Sequence, residues 1–326
     1  SENIDEVYPQ YFPKQNTELE AYQQIEKDLL DAVLYAPDNT PGNKTLFTKS
    51  VARTLLAKIY AEKPLRDYTK VIQYCDEVKA DGFDLVDDFS DLFGMNAAGT
   101  DAKMRNTKES ILEAQFTSGA GNWCTWMFGR DLVNWNNNFT WAKWVTPSRD
   151  LISAFKQEGD EVRFKESIVY YDCNWSNYYP SDNYPFMYKC RSANSSIIKY
   201  RYADVLLLKA EALIMQDTPD LEGAADIIDE VRDRAKLGAL PTSVRSNKNA
   251  MLNALLKERR LELAFEGQRW FDLVRLDKVE EVMNAVYAKD SGRKAQIYTF
   301  DKNSYRLPIP QSVIDANDKI HQNPGY

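Results

Sequence analysis

The segment 256–275 constrains this chain most, because it carries charged residues on the face that a helix would bury. An apolar stripe at helical spacing runs through Leu263 and Leu273, and Arg259 and Glu266 lie on the same stripe. A buried charge without a partner costs on the order of several kcal/mol. Any fold of this chain must therefore supply partners for these two residues.

Oppositely charged residues recur three positions apart within the same segment, which is a spacing at which helical side chains pair. The predicted pairs are Arg259 with Glu262, Glu266 with Arg269, and Asp272 with both Arg269 and Arg275. Gly267 either ends the first helix or lets another backbone approach it closely. One interpretation is a catalytic acid–base cluster, and the other is a buried ion-pair network that locks two helices together. Alternating signs without a nucleophile or a metal-ligand partner favour the network.

Composition excludes several classes of protein. The net charge is −8 and the basic residues are interspersed with acids, whereas a nucleic-acid partner would require a clustered basic face. His321 is the single histidine, which nearly excludes histidine triads and HExxH zinc sites. The carboxylates nearest the aromatic residues, Asp131 and Asp150, are too few to indicate a glycoside hydrolase. We therefore expect no catalytic residues and no metal site.

The cysteine spacing and the N-terminal residues give little information about the cellular compartment of the protein. Four cysteines occur without CxxC spacing, so a Cys173–Cys190 bridge and free buried thiols are both open. No apolar run approaches the length of a membrane span. Ser1 opens directly into acidic polar sequence, from which we expect a processed or truncated N-terminus that has lost its localisation signal.

Helical periodicity dominates both ends of the chain. It predicts helices at 18–35, 48–62, 65–80, 147–157, 199–215, 221–236, 247–266, a short stretch ending near 277, and 279–288. Strands are predicted at 110–116, 295–300 and 305–309, the last two as a pair. The second and third helices overlay the segment 204–233 after a shift of 153 residues, and Asp76-Glu77-Val78 then coincides with Asp229-Glu230-Val231. This predicts a repeated helix hairpin, which buries its inner face against neighbouring repeats.

An aromatic insert interrupts this helical pattern between residues 117 and 196. Six of the chain's tryptophans lie between 123 and 175, among asparagines and tyrosines. Flat aromatic rings stack on the apolar faces of sugars, while amides and guanidinium groups bond the hydroxyls. The predicted ligand-binding residues are Trp123, Trp135, Trp141, Trp144, Trp175, Arg130, Asn134, Asn136, Tyr178 and Tyr179. The alternative is that these rings pack a loop-rich layer, and we expect about half of the aromatic residues to do so.

An ordered series of motifs in the second half of the chain resembles the SusD/RagB family, the surface glycan-binding lipoproteins of the Bacteroidetes. The matching stretches are 201–213, 230–235, 258–275, Leu307-Pro-Ile-Pro310 and the closing Gln322-Asn-Pro-Gly-Tyr326. Weaker matches at 147–163 and 18–80 extend the resemblance over nearly the whole chain. The family's ligand contacts follow no fixed motif, so the predicted binding residues rest on the aromatic argument alone.

The resemblance implies tetratricopeptide-like helix pairs, an irregular layer that holds the ligand, and a lipid anchor on the outer membrane at the cell surface. It also implies a partner, a SusC-like TonB-dependent transporter that receives oligosaccharide or polysaccharide from this protein. Relatives begin with a lipobox cysteine and further helices that nothing in this sequence matches, so we expect this list of site residues to be incomplete.

These observations predict one compact all-α unit with tetratricopeptide-like helix-hairpin repeats, an aromatic-rich loop layer and minor strands. Its parts would be a partial repeat region at 1–116, the aromatic insert at 117–196, and a C-terminal helical region at 197–326. The predicted function is non-catalytic glycan binding for nutrient uptake, without a cofactor and with no sequence indication of calcium. The alternatives are peptide uptake, as in RagB-like proteins, and a helical scaffold for protein partners.

Overall fold

The computed structural model describes residues 3, 12–117, 121, 145–173, 178–289 and 299–326. Within these ranges the α-helices are α1 (Glu18–Tyr35), α2 (Lys49–Ala61), α3 (Tyr68–Ala80), α4 (Ser90–Phe93), α5 (Arg149–Glu158), α6 (Glu161–Ser167), α7 (Tyr202–Met215), α8 (Leu221–Arg234), α9 (Thr242–Arg245), α10 (Lys248–Glu262), α11 (Arg269–Arg275), α12 (Val279–Lys289) and α13 (Gln311–Ala316). The strands are β1 (Ser110–Ala114), β2 (Ile168–Tyr171), β3 (Tyr184–Met187) and β4 (Ile197–Arg201). The predicted mostly helical class is confirmed.

The predicted repeat is confirmed in the bounds of its helices. A shift of 153 residues carries the start of α2 to 202 and that of α3 to 221, where α7 and α8 begin. The two hairpins also share their capping, because Asp67 accepts a hydrogen bond at the start of α3 and Asp220 does so at the start of α8. Equivalent sequence positions therefore form equivalent structure.

The main core lies between these two hairpins. Helix α3 packs against α7 and joins the pairs, while α1 covers α2 and α10 covers α7. The equivalent residues Val71 and Ala224 are fully buried, as are Val78 and Val231. Each hairpin thus buries its inner face against the other, as helical repeats require.

Two aspartates at the repeat turns supply the first testable prediction. Asp67→Ala and Asp220→Ala each remove a side-chain acceptor from a helix N-terminus, so each should lower the free energy of unfolding by about 1 kcal/mol. Asp233→Ala, at an exposed position inside α8, serves as the control and should cause no loss. Urea denaturation measures all three, and equal stabilities for the cap and control variants would contradict the capping role.

Four strands form two antiparallel pairs, β1 with β4 and β2 with β3. The predicted strand at 110–116 is confirmed as β1, while β2, β3, β4 and the short helices α4, α6, α9 and α13 escaped prediction. Helix α7 begins at Tyr202 rather than 199 because Ile197–Arg201 pairs with β1 instead of joining the helix. β1 and β4 flank the insert at 117–196, whereas β2 and β3 lie within it.

The helix predicted to reach Glu266 ends at Glu262. The Glu262 carbonyl accepts hydrogen bonds from Lys189 Nζ at 2.8 Å and Arg201 Nη2 at 2.7 Å, so it does not need the amide of Glu266. Gly267 lies in the turn that follows, with φ of +79°, and a Cβ there would meet no neighbouring atom. Its role is therefore the left-handed turn and not close approach of another backbone.

The strand predicted at 305–309 is wrong. Asp301 accepts hydrogen bonds from the amides of Asn303 and Ser304, which closes a 3₁₀ helix at Lys302–Tyr305. Pro308 and Pro310 follow and offer no amide to a strand partner. Most of the strand predicted at 295–300 lies outside the described residues.

Cys75 and Cys173 are buried thiols outside any disulfide, so the Cys173–Cys190 bridge does not form. In the described ranges no helix combines the length and apolarity that crossing a bilayer requires.

Candidate functional site

Most of the predicted ligand-binding residues lie outside the described residues. These are Trp123, Trp135, Trp141, Trp144, Trp175, Arg130, Asn134 and Asn136. Tyr178 and Tyr179 are described, and both are half-buried beside the start of α5. The described part of the candidate site is therefore built around this tyrosine pair.

The tyrosine pair is held by Arg149 and by a third tyrosine. The Arg149 guanidinium carbon lies 3.9 Å from the centre of the Tyr178 ring and 4.9 Å from that of Tyr179, and Arg149 Nη2 donates to the Tyr178 carbonyl. Tyr179 packs edge-on against both Tyr178 and the buried Tyr184, with ring centres 4.9 and 5.5 Å apart. Its hydroxyl donates to the Pro147 carbonyl at 2.7 Å. These contacts fix the rings before any ligand arrives.

An aromatic cleft of about 430 Å³ opens beside these rings. It is lined by Arg149, Ile152, Ser153, Lys156, Gln157, Tyr170, Tyr179, Pro180 and Asn183. Two tyrosine rings and a proline supply apolar faces, while amide, hydroxyl and cationic groups supply hydrogen bonds. This is the mixture that a sugar requires of its site.

A second cleft of about 610 Å³, which we call the basic cleft, adjoins the first across α5. Arg149, Ser153 and Gln157 line both clefts, so α5 forms their shared wall. The other lining residues are Ser148, Asp150, Ala154, Lys257, Arg260, Val286 and Lys289. Ser148 caps α5 by accepting a hydrogen bond from the Leu151 amide at 3.1 Å.

Two buried ion-pair networks lie outside the linings of these clefts. Helix α10 contributes residues to both networks. In the first, the fully buried Glu262 carboxylate accepts from three arginines, Arg163, Arg201 and Arg234. Arg201 Nη1 also donates to Glu109 Oε1 at 2.7 Å, and Arg234 Nη1 donates to Glu109 Oε2 at 2.8 Å. This network joins the start of β1, the end of β4, and helices α6, α8 and α10.

The second network centres on Arg259, which is 1% exposed. Its guanidinium donates to Asp272 Oδ2 at 2.8 Å and to Asp204 Oδ1 at 2.7 Å. Arg275 donates to Asp272 at 2.8 Å and forms a two-point pair with Glu211 at 2.8 and 2.7 Å. Helices α7, α10 and α11 are thereby joined through charges that water does not reach.

The predicted pairing within the segment 256–275 is correct for one pair only, Asp272 with Arg275. Arg259 contacts Asp204 and Asp272 instead of Glu262, and Glu262 contacts arginines from other elements. Glu266 pairs with Lys189 at 2.6 Å and with Arg201 at 2.7 Å, whereas Arg269 donates to the Leu256 carbonyl at 2.7 Å. Arg259, Glu262 and Glu266 are therefore paired with residues from other elements of the fold, and Asp272 with Arg275 is the pair that lies along one helix.

Two of these distant partners left a signal in the sequence. Helix α7 is apolar on all sides, so its two acids, Asp204 and Glu211, had to be buried wherever the helix packed. Glu109 and Arg201 adjoin paired strands and gave no comparable periodic signal. Sequence reasoning could have identified the first two as network members but not these others.

The charged neighbours of Glu262 keep its carboxylate ionised although it is buried. Burial acts to raise the pKa of Glu262, but Arg234, Arg201 and Arg163 outweigh it and hold that pKa well below its usual range. Burial lowers the pKa of Lys189 to about 8, against the attraction of Glu266. Because Arg163, Arg259 and Glu262 are at most 1% exposed, a substrate cannot reach them. Within the described ranges no group of His, Cys, Asp or Glu residues could hold a metal ion.

Acidification supplies a second testable prediction. Burial acts to raise the pKa of Asp204, but Lys58 and Arg259 outweigh it and lower that pKa far below its usual range. In the unfolded chain the Asp204 carboxylate takes up a proton near about pH 4, whereas in the folded chain it stays ionised. The ionised carboxylate therefore stabilises the fold above about pH 4, and this contribution declines as pH falls, by at most about 1.4 kcal/mol per pH unit. The Asp204→Asn variant has no carboxylate to protonate at this position. The difference in unfolding free energy between the native protein and this variant should therefore shrink as pH falls from about 5 to about 3. Urea titrations at a series of pH values measure it, and a constant difference would contradict the assignment.

Residues 182–326 match the protein family model described as the SusD family. SusD-like protein P38 of Formosa agariphila is 42% identical over 99 residues, which are 28% of this chain and 19% of that relative. SusD-like protein P2 of the same organism is 35% identical over 143 residues, which are 42% of this chain and 27% of that relative. The matched segments thus span about a fifth and a quarter of these curated relatives.

The fold is similar to solved structures over a longer range. A laminarin-binding SusD-like protein superposes with a TM-score of 0.68 at 25% sequence identity, covering 94% of this chain and 68% of that protein. The helical pairs described above are therefore shared with a protein that binds a polysaccharide.

Proposed function

We propose that this chain, which belongs to the SusD/RagB family, is a non-catalytic glycan-binding protein. The observation that carries the proposal is the aromatic cleft, whose fixed tyrosine rings and surrounding polar groups suit the two faces of a sugar. A similar protein that binds laminarin supports it. Binding by stacking and hydrogen bonding needs no cofactor and breaks no bond.

The proposed uptake role goes further. The bound oligosaccharide would pass to a SusC-like TonB-dependent transporter, with this protein lipid-anchored at the outer-membrane surface. The family resemblance supports this arrangement. Co-purification of such a transporter with the tagged full-length protein from membranes tests it, and a protein recovered without any transporter would argue against delivery.

The predicted ligand residues of the insert belong to this proposal. We expect the ring of at least one of Trp123, Trp135, Trp141, Trp144 and Trp175 to stack on the sugar, and we expect Arg130, Asn134 and Asn136 to bond its hydroxyl groups. Single alanine variants at the five tryptophans should include at least one that weakens oligosaccharide binding about tenfold. If all five bind as tightly as the native protein, this assignment is wrong.

A screen against parallel libraries of oligosaccharides and extended peptides separates the proposed function from peptide uptake. We expect saturable binding of at least one oligosaccharide, with the sugar recovered intact. Binding of peptides alone would replace the proposal with RagB-like uptake, and turnover of a sugar would indicate an enzyme. Binding of neither library would favour the helical scaffold.

A further inference from the structure

The basic cleft concentrates positive charge in a protein that is acidic overall. Among the described residues, the cations Arg149, Lys257, Arg260 and Lys289 line it, together with one carboxylate, Asp150. The whole chain carries a net charge of −8, so this local excess is opposite in sign to its surroundings. A concave site of one sign raises the local concentration of oppositely charged ligands.

Asp150 in the cleft and Glu158 beside it each form ion pairs with two cations. Asp150 faces both Arg260 at 2.7 Å and Lys289 at 3.4 Å, so one carboxylate serves two cations. Glu158, at the other end of α5, pairs with Lys257 and also with Arg232 at 2.6 Å. Burial acts to raise the pKa of Asp150, but its cationic neighbours outweigh this and lower it. Both carboxylates are therefore already shared, and the lining residues keep their positive excess.

The cations also differ in how firmly they are held. The Arg260 side chain is 20% exposed and pairs with Asp150 at short range, whereas Lys289 is 71% exposed and lies 3.4 Å from the same carboxylate. Lys257 is 46% exposed. The two lysines can therefore turn toward a ligand in the cleft without leaving a buried charge behind.

Arg149 connects the basic cleft to the aromatic cleft. It lines both cavities, and its guanidinium lies over the Tyr178 ring. A ligand that stacks a sugar ring near Tyr179 can place a neighbouring unit across α5, beside the lysines. The two clefts on either side of α5 thus offer an aromatic surface and a positively charged surface next to each other.

We infer that the preferred ligand is an anionic oligosaccharide, whose sugar ring occupies the aromatic cleft and whose carboxylate or sulfate group binds in the basic cleft. This rests on the proposed glycan-binding function and narrows its substrate class. Carboxylates and sulfates present similar oxygen acceptors to lysine and arginine, so the chemistry that the cleft recognises is the anionic group itself. Uronic-acid units and sulfate esters are its two sources.

Binding assays with three probes test this inference: hexagalacturonate, a sulfated carrageenan hexasaccharide and neutral laminarihexaose. We expect at least one anionic probe to bind more tightly than laminarihexaose. Its affinity should fall as the salt concentration rises from about 0.05 to about 0.5 M, because salt screens exposed charges over this range. The probe that shows this behaviour identifies the source of the anion. Binding of laminarihexaose alone would overturn the inference and leave the proposed function intact, whereas binding of no sugar would count against both.

The double variant Lys257→Gln/Lys289→Gln tests the location. It should weaken binding of the anionic probe roughly tenfold, equivalent to the loss of one good charge-assisted contact, and leave laminarihexaose binding unchanged. Lys27→Gln/Lys302→Gln removes the same charge at exposed positions outside the cleft and serves as the matched control. Equal affinities of the two double variants for the anionic probe would overturn the assignment to this cleft.

Discussion

Glu262→Ala is expected to lower the free energy of unfolding by about 3–5 kcal/mol, the largest loss of stability that we predict for a single substitution in this chain. The native carboxylate is fully buried and accepts from Arg163, Arg201 and Arg234. Its removal leaves three guanidinium groups with acids such as Glu109, Glu258 and Glu266 as their remaining partners, inside a region that water does not reach. Equilibrium unfolding in urea, followed by circular dichroism, measures the change.

Glu281→Ala is the matched control for this substitution. Glu281 forms an ion pair with Lys278 three residues away, but its side chain is 65% exposed, so its loss should leave stability nearly unchanged. Oligosaccharide affinity of the folded fraction should be the same in both variants, because Glu262 lies outside both clefts. A folded and equally stable Glu262→Ala protein that lost binding would contradict the structural role of this network.

Tyr179→Ala is expected to reduce oligosaccharide affinity by about tenfold or more, the largest effect on binding among the described residues. The Tyr179 ring lines the aromatic cleft and is positioned by Tyr178 and Tyr184. Its removal deletes a stacking surface and loosens the neighbouring ring on which Arg149 lies. Isothermal titration calorimetry with the tightest-binding oligosaccharide measures the loss.

Tyr179→Phe separates stacking from hydrogen bonding at the same position. The variant keeps the ring and loses the hydroxyl group, which donates a hydrogen bond to the Pro147 carbonyl. It should therefore retain affinity within about threefold while losing about 1 kcal/mol of stability. If both variants bind as tightly as the native protein, the aromatic cleft is not the binding site.

The repeated helices were predictable because their information is local. Apolar residues at helical spacing indicate α2, α3, α7 and α8, and the aspartates at the turns mark where α3 and α8 begin. The start of α7 is the exception, because it depends on the pairing of β4 with β1. The end of α10 was not predictable in this way. It depends on Lys189 and Arg201, which reach the Glu262 carbonyl from other parts of the fold.

The sequence indicated only part of the candidate site. Clustered aromatic residues indicated a sugar-binding surface, and Tyr179 does line a cleft. Arg149, Lys257 and Lys289 were missed because they are far apart in sequence and each is unremarkable on its own helix. Their proximity arises from the packing of α5 beside α10 and α12, which periodicity does not specify.

The crystal structure of this protein with its tightest-binding oligosaccharide is the most direct test of the central claim that it binds sugar without altering it. We expect an intact oligosaccharide with one ring against Tyr179 in the aromatic cleft and the remainder extending along the insert or across α5. The ion-pair networks around Glu262 and Arg259 should be unchanged and out of contact with the sugar. A ligand bound away from both clefts and the insert, or a cleaved sugar in the crystal, would contradict the account.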